Sequence, residues 1–333
     1  MSKLDAALKR ILEVPGGGMK DRLLAQLRYA RRVSKVRGGQ YDALIRSAID
    51  AFGEAWEQEG ALCDTSAIFI EQSLLPMREA AKQYRLIFCG HAHIDMNWMW
   101  RYDETVQITL DTFRTVLMLM DECPAFKFSQ SQASVYRIVE EHDPEMLQKI
   151  AERVRQGRWE VTASTWVEAD RNMPSAESVA RHHLYTRGYL PKLLSSAAAV
   201  CEMDFEPDTF GHHQNTPEML CQAGVKYYYH CRGFDGETLY RWRSPSGAEV
   251  LSYREPFWYL GAVDAAQAEF VPEYCEKYGV NTAMRVYGVG DHGGGPTRRD
   301  VNRIAEMAAW PIFPRVEFGF FKDFYQAMES AKD

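Results

Sequence analysis

The chain has no long apolar run. Nowhere in its 333 residues does a stretch approach the roughly 20 consecutive apolar positions that a membrane-spanning helix requires, so no membrane partner is expected. The opening MSKLDAALKRILEVPGGG is charged and helix-like and lacks the apolar core of a secretion signal. A basic face is missing too: 39 Lys and Arg stand against 46 Asp and Glu, spread along the length, for a formal charge of −7. Phosphate backbones need concentrated cations, so nucleic acid is not an expected partner. The seven cysteines (Cys63, Cys89, Cys123, Cys201, Cys221, Cys231 and Cys275) are odd in number, widely spaced and form no CxxC. That pattern argues against a disulfide framework or a cysteine zinc site, and it points to a reducing cytoplasm. There is no GxxxxGK[ST] phosphate loop, internal repeat or low-complexity tract.

What is present is a globular composition, with 46% hydrophobic side chains and enough length to bury a large core. Residues 1–80 carry helix-period apolar positions (Leu4, Ala7, Leu8, Ile11, Leu12, then Leu23, Leu24, Leu27, Ala30) interrupted by glycines at 16–18 and 38–39, which predicts a small helical region. From residue 81 to 333 short β-rich runs alternate with helical ones. RLIFCG (85–90), FKFSQ (126–130), WEVTAS (159–164), AAVCEMD (198–204), KYYYHC (226–231), EVLSYRE (249–255), RVYGVG (285–290) and RVEFGF (315–320) read as strands. DPEMLQKIAERVRQG, apolar at Met146, Leu147, Ile150 and Val154, reads as one of the helices between them. The alternation predicts an α/β fold, a distorted seven- to eight-stranded (β/α) barrel preceded by the helical region, with its chemistry at the C-terminal ends of the strands. An open doubly wound sheet is the alternative arrangement.

Polar clusters follow four of these runs. After RLIFCG comes HAHIDMNWMW, with His91, His93 and Asp95 spaced by two, so that an extended segment turns all three one way. Imidazole and carboxylate together suit zinc or a similar divalent ion, although two histidines at a strand end also suit backbone hydrogen bonds. After AAVCEMD, the EPDTFGHHQNTPEML segment raises Asp208 at a Pro-Asp turn, beside His212 and His213, before a helix that starts near Thr216-Pro217. A turn-capping role for Asp208 fits the dipeptide equally. After WEVTAS, TWVEADRNMPSAES offers Glu168, Asp170, Arg171 and Asn172 beside Trp166, the mix of acceptors and flat apolar surface that a sugar site needs, or else a solvated acidic loop. After RVYGVG, Asp291 and His292 precede three glycines, where a ligand can approach the backbone.

In this order, HAHIDMNWMW, FSQSQASVY with GRWEVTASTWVEADRNMPSAES, EPDTFGHHQNTPEML and YGVGDHGGGPT resemble the catalytic domain of glycoside hydrolase family 38, the α-mannosidases, in its bacterial and cytosolic branch. The resemblance runs from about Arg85 to the C-terminus and implies a retaining, metal-dependent hydrolase of terminal α-linked mannose in oligosaccharides. It implies zinc on His93, Asp95 and Asp208, with Asp208 also the nucleophile and Asp291 the general acid/base. The family's remaining histidine ligand is expected beyond the last residue, with His292, His91 and His212 as local candidates. Its C-terminal helical and β-sandwich domains find no counterpart, so a fragment whose activity is incomplete is one expectation. Trp98, Trp100 and Trp166 are candidates for stacking on sugar faces, and Asp170 for hydrogen bonding to the sugar. EPFWYLGAVD (255–264) departs from the branch.

Two other readings compete. A zinc-dependent amidohydrolase or sugar deacetylase would use His91, His93 and an acid to activate water without a nucleophilic carboxylate. A non-catalytic carbohydrate-binding remnant would hold metal and sugar without turnover. Linkage preference and assembly into a homo-oligomer are not written in the sequence.

Overall fold

The computed structural model describes Ala6, Leu8 and residues 18–60, 62–196, 201–290 and 293–331. Most of the apolar periodicity expected before residue 18, the first part of the AAVCEMD run, and Asp291 and His292 lie outside the described residues. Helices come first: α1 (Met19–Val36), α2 (Asp42–Glu59), α3 (Asp64–Ser73) and α4 (Arg78–Lys82). They do not stand apart from the α/β region. Leu23, Leu27, Tyr29 and Val33 of α1 belong to the same buried cluster as the strands, and the Gln26 carboxamide accepts a hydrogen bond from Ile312 N at 2.9 Å.

Strands and helices then alternate: β1 (Arg85–His91), α5 (Tyr102–Glu122), β2 (Phe128–Gln130), α6 (Ala133–His142), α7 (Pro144–Arg155), β3 (Trp159–Val161), α8 (Ala176–Leu193), β4 (Met203–Glu206), α9 (Thr216–Gln222), β5 (Tyr227–His230), β6 (Leu239–Arg243), β7 (Glu249–Arg254), α10 (Val271–Tyr278), β8 (Thr282–Tyr287), α11 (Arg298–Ala308), β9 (Arg315–Phe318) and α12 (Phe321–Met328). Local chemistry accounts for the boundaries. Asp143 caps α7 by accepting from Met146 N at 3.0 Å, Pro144 occupies the first turn, and Met146, Leu147, Ile150 and Val154 are buried as their spacing predicts. β1 is buried from Leu86 to His91, as expected of a central parallel strand covered on both faces.

Among the described residues the strands form two sheets, not a closed barrel. In the first, β3, β2, β1 and β8 follow one another in parallel and β9 also pairs β1. Arg85–Phe88 of β1 pair with both β8 and β9, whereas β2 reaches only Gly90 and His91, so β2 and β9 share one edge of β1. The second sheet runs β4-β5-β7-β6, parallel except for β6. The expected seven- to eight-stranded barrel is therefore corrected at its two seams. β3 is only three residues long, and side chains cross from its end to β4: the Ser164 hydroxyl donates to Asp204, and Arg171 pairs with Asp204 at 2.6 Å and with Glu206. At the other seam a buried Arg285–Glu255 ion pair and a short bridge between Gly261 and Gly288 connect β7 to β8. Aromatic packing joins the sheets internally, with the Phe205 ring centre 4.4 Å from that of His91 across the sheets and 4.5 Å from that of Tyr229 within its own sheet.

Candidate metal centre

β1 leaves its ladder at His91, and the period-two alternation ends with it. His91 stays in the interior, where its Nε2 meets Ser131 Oγ at 3.1 Å and burial holds its pKa well below the ordinary value. His93 and Asp95 instead enter a cavity of about 400 Å³ at the strand ends. Asp208, two residues beyond β4, enters the same cavity from the second sheet. His93, Asp95 and Asp208 each offer a ligand atom within 4.8 Å of the others. His91 and His212 are not in this group; His212 Nδ1 bonds the Tyr228 hydroxyl at 2.7 Å.

His93 is 4% exposed and sits between carboxylates: its Nε2 is 3.0 Å from Asp95 Oδ1 and its Nδ1 is 3.2 Å from Glu168 Oε2. Burial alone would lower its pKa, but Glu168, Asp95 and Asp208 outweigh that and raise it. Glu168 is raised in turn by burial, against the opposing pull of His93. Its other oxygen accepts from Asp208 N at 2.7 Å and from the Thr209 hydroxyl at 3.1 Å. The Asp208 carboxylate takes a charged hydrogen bond from Arg232, whose guanidinium lies 4.2 Å from the Phe210 ring centre and 4.9 Å from that of Trp258. Burial, and then the charge of the neighbouring Asp208, push the Tyr259 pKa up.

Trp98 and Asp170 line the cavity, Trp98 at its rim with 56% of its surface exposed. Asp170 holds its loop by accepting from Asn172 N and Met173 N at 2.7 and 3.2 Å. A Cβ on Gly211 would stand 2.2 Å from the Asp170 carboxylate, so only glycine permits that approach. Trp166 goes elsewhere: it packs on Tyr189 at 5.1 Å and lines a separate open cleft between α6 and α8. The glycines after Asp291 serve the backbone, with Gly293 N donating to His93 O at 3.0 Å. Gly288, at φ 138°, comes so near His91 O that a Cβ would be 2.1 Å away.

Residues 83–333 match the profile of the Glycosyl hydrolases family 38 N-terminal domain. The chain belongs to glycosyl hydrolase family 38. It is 30% identical over 270 residues to Alpha-mannosidase G of Dictyostelium discoideum, covering 78% of this chain and 24% of that protein. To Alpha-mannosidase 2C1 of Homo sapiens it is 28% identical, covering 74% of this chain and 24% of the relative. The chain thus spans about a quarter of the length of the curated relatives it matches. The crystal structure of an alpha-mannosidase from Enterococcus faecalis V583 superposes with a TM-score of 0.65 at 20% identity, over 75% of this chain and 30% of that one, and shares its fold.

The donors of this family 38 chain fit a divalent ion: one imidazole and two carboxylates converge. His93 Nδ1 and Glu168 Oε2 face each other at 3.2 Å as an ion pair, both buried and, among the described residues, neither with a hydrogen-bond partner. The sequence offered Glu168 among the acceptors of a sugar site, not beside the metal donors, and gave no role to Gln132, Arg232 or Tyr259. An arginine directly beyond the β5 run was the legible clue for Arg232. Tyr259 lies in EPFWYLGAVD, the segment that departs from the branch.

Proposed function

We propose that this chain is the metal-binding and nucleophile-bearing part of a retaining α-mannosidase that removes terminal α-linked mannose from oligosaccharides. The observation that carries this reading is the convergence of His93, Asp95 and Asp208 within 4.8 Å in one cavity of a family 38 chain. In this reading residues 1–80 are the helical region and 81–333 the catalytic one, in keeping with a family match that begins at residue 83.

His93, Asp95 and Asp208 would hold zinc, which when bound supplies a positive charge that orients the sugar hydroxyls. The Asp208 carboxylate attacks the anomeric carbon as the glycosidic bond breaks, giving a glycosyl ester. Asp291 gives its proton to the departing oxygen, then takes one from the water that opens the ester. Arg232 and the Glu168-bound backbone hold the Asp208 carboxylate in line for attack. Trp98 offers a flat face at the cavity rim, and Asp170 an acceptor inside it. Free thiols at all seven cysteines and the lack, among the described residues, of any helix long and apolar enough to cross a membrane accord with a cytoplasmic place.

Elemental analysis of the purified chain, beside His93→Ala and Asp208→Ala, tests the centre, and a 5-fluoro-mannosyl fluoride tests the chemistry. One zinc per chain, lost in both variants, together with a sugar adduct on Asp208, is the expected result. Metal without any adduct or aryl α-mannoside hydrolysis would favour the deacetylase-like reading or the sugar-binding one; mannose-dependent stabilisation without turnover would single out the latter.

A further inference from the structure

His93 and Asp208 come from different sheets. The first lies two residues past β1 and the second two past β4, and among the described residues no backbone ladder joins β3 to β4. Their spacing has to be set by something other than strand pairing, and one continuous set of hydrogen bonds connects them. Gln132 Nε2 donates to Ile94 O at 2.8 Å, beside His93, while Gln132 Oε1 accepts from Glu168 N at 3.0 Å. Glu168 then reaches both ligand residues, with Oε1 on Asp208 N and Oε2 against His93 Nδ1. Gln132 does this from a backbone at φ 63°, ψ 117°, which a residue with a Cβ seldom adopts and which persists only where its surroundings enforce it.

We infer that Glu168 is a positioning residue for the metal centre, one carboxylate that fixes the tautomer of His93 and the place of Asp208 together. The inference rests on the metal reading proposed above. With an ion taking the lone pair of Nε2, on the side of the ring that faces Asp95, the imidazole proton would stay on Nδ1, and Glu168 Oε2, which as a carboxylate can only accept, faces that nitrogen at 3.2 Å. A histidine prepared in this way is the more basic ligand, and losing such a partner typically weakens metal binding by roughly 10- to 100-fold. The other oxygen, by holding Asp208 N, keeps the second sheet's ligand from drifting along the unpaired seam.

Glu168→Gln separates this role from mere packing. The glutamine keeps the shape and can still accept from Asp208 N, but its amide then presents N–H to His93 and favours the opposite tautomer. The experiment measures zinc affinity by chelator competition on the full chain, and the imidazole ¹⁵N shifts of the zinc-loaded protein, for wild type, Glu168→Gln and Glu168→Ala. Zinc affinity lower by roughly 10-fold or more in Glu168→Gln, with an unaltered circular dichroism spectrum and loss of the Nδ1-proton signature, is the expected outcome. Equal affinity and unchanged ¹⁵N shifts in a folded Glu168→Gln overturn the inference while leaving the metal reading intact. Wild type that takes up no zinc overturns the metal reading and this inference with it. Should Glu168→Ala fail to fold, the glutamine variant alone decides.

Discussion

Arg232, two residues past β5, donates a charged hydrogen bond to Asp208, two residues past the neighbouring β4, so the carboxylate proposed as nucleophile is already held by a fixed cation. Burial would lower the Arg232 pKa, yet the Asp208 bond raises it above the ordinary value, and the guanidinium stays charged at any working pH. Hydrogen bonds to charged groups contribute about 1.5–3 kcal/mol. Arg232→Met is therefore expected to lower kcat/KM on an aryl α-mannoside by about 10- to 100-fold. Steady-state kinetics checks this, and an unchanged kcat/KM would mean that Arg232 serves only to pack Phe210 and Trp258.

A ligand that binds only the folded chain stabilises it. At a free zinc concentration about 100-fold above Kd, mass action adds about 2.7 kcal/mol, which for a chain of this size raises Tm by roughly 5 °C. Scanning calorimetry with and without zinc is expected to show that rise in wild type and its reversal by chelator. In His93→Ala and Asp95→Ala the rise should vanish; a rise that survives both substitutions would place the ion elsewhere.

Glu160 supplies a pH dependence distant from the metal centre. Its carboxylate accepts from Ser129 Oγ at 2.7 Å and from Phe321 N and Lys322 N at 3.0 and 2.9 Å, at the start of α12. Burial nevertheless pushes its pKa from 4.5 up to about 7. The folded chain thus binds a proton that the unfolded chain has released, and the stability this provides is complete below pH 4.5 and is lost as pH rises through about 7. Urea unfolding of wild type and Glu160→Gln across that window should show the decline in wild type and a flatter profile in the variant. Parallel profiles would exclude Glu160 as its source.

Much of the fold was legible in the sequence wherever a local rule governs. Each of the eight β-rich runs overlaps an observed strand, although β4 shares only residues 203–204 with its run and β8 starts three residues before its own, and the four apolar positions expected in α7 are all buried. β6 went unread because LYRWR alternates weakly and pairs antiparallel at a sheet edge. Barrel closure failed because it depends on ladders between distant strands, and short β3 leaves its seam to side chains. The spacing of two that suggested His91 as a partner of His93 presumed an extended chain, and the strand ends between them. Glu168, Gln132 and Tyr259 meet the centre from separate loops, a convergence that only the folded chain defines.

The seam beside β8 offers the sharpest test of the open architecture. Arg285, on β8, pairs with Glu255 just past β7, both almost fully buried, and Glu255 also accepts from the Tyr229 hydroxyl at 3.0 Å. In a closed barrel, backbone ladders would hold these strands and the pair would be auxiliary. Here it crosses a gap with little backbone pairing, so removing one partner leaves a desolvated charge facing an unsupported seam. Glu255→Ala is expected to destabilise the chain by about 3–5 kcal/mol. The double variant Glu255→Leu with Arg285→Met, which removes both charges and keeps apolar volume, should recover most of that loss. Chemical denaturation of wild type and the two variants checks this; a single-variant loss below about 1 kcal/mol, the value of an exposed pair, would mean that other contacts hold the two sheets together.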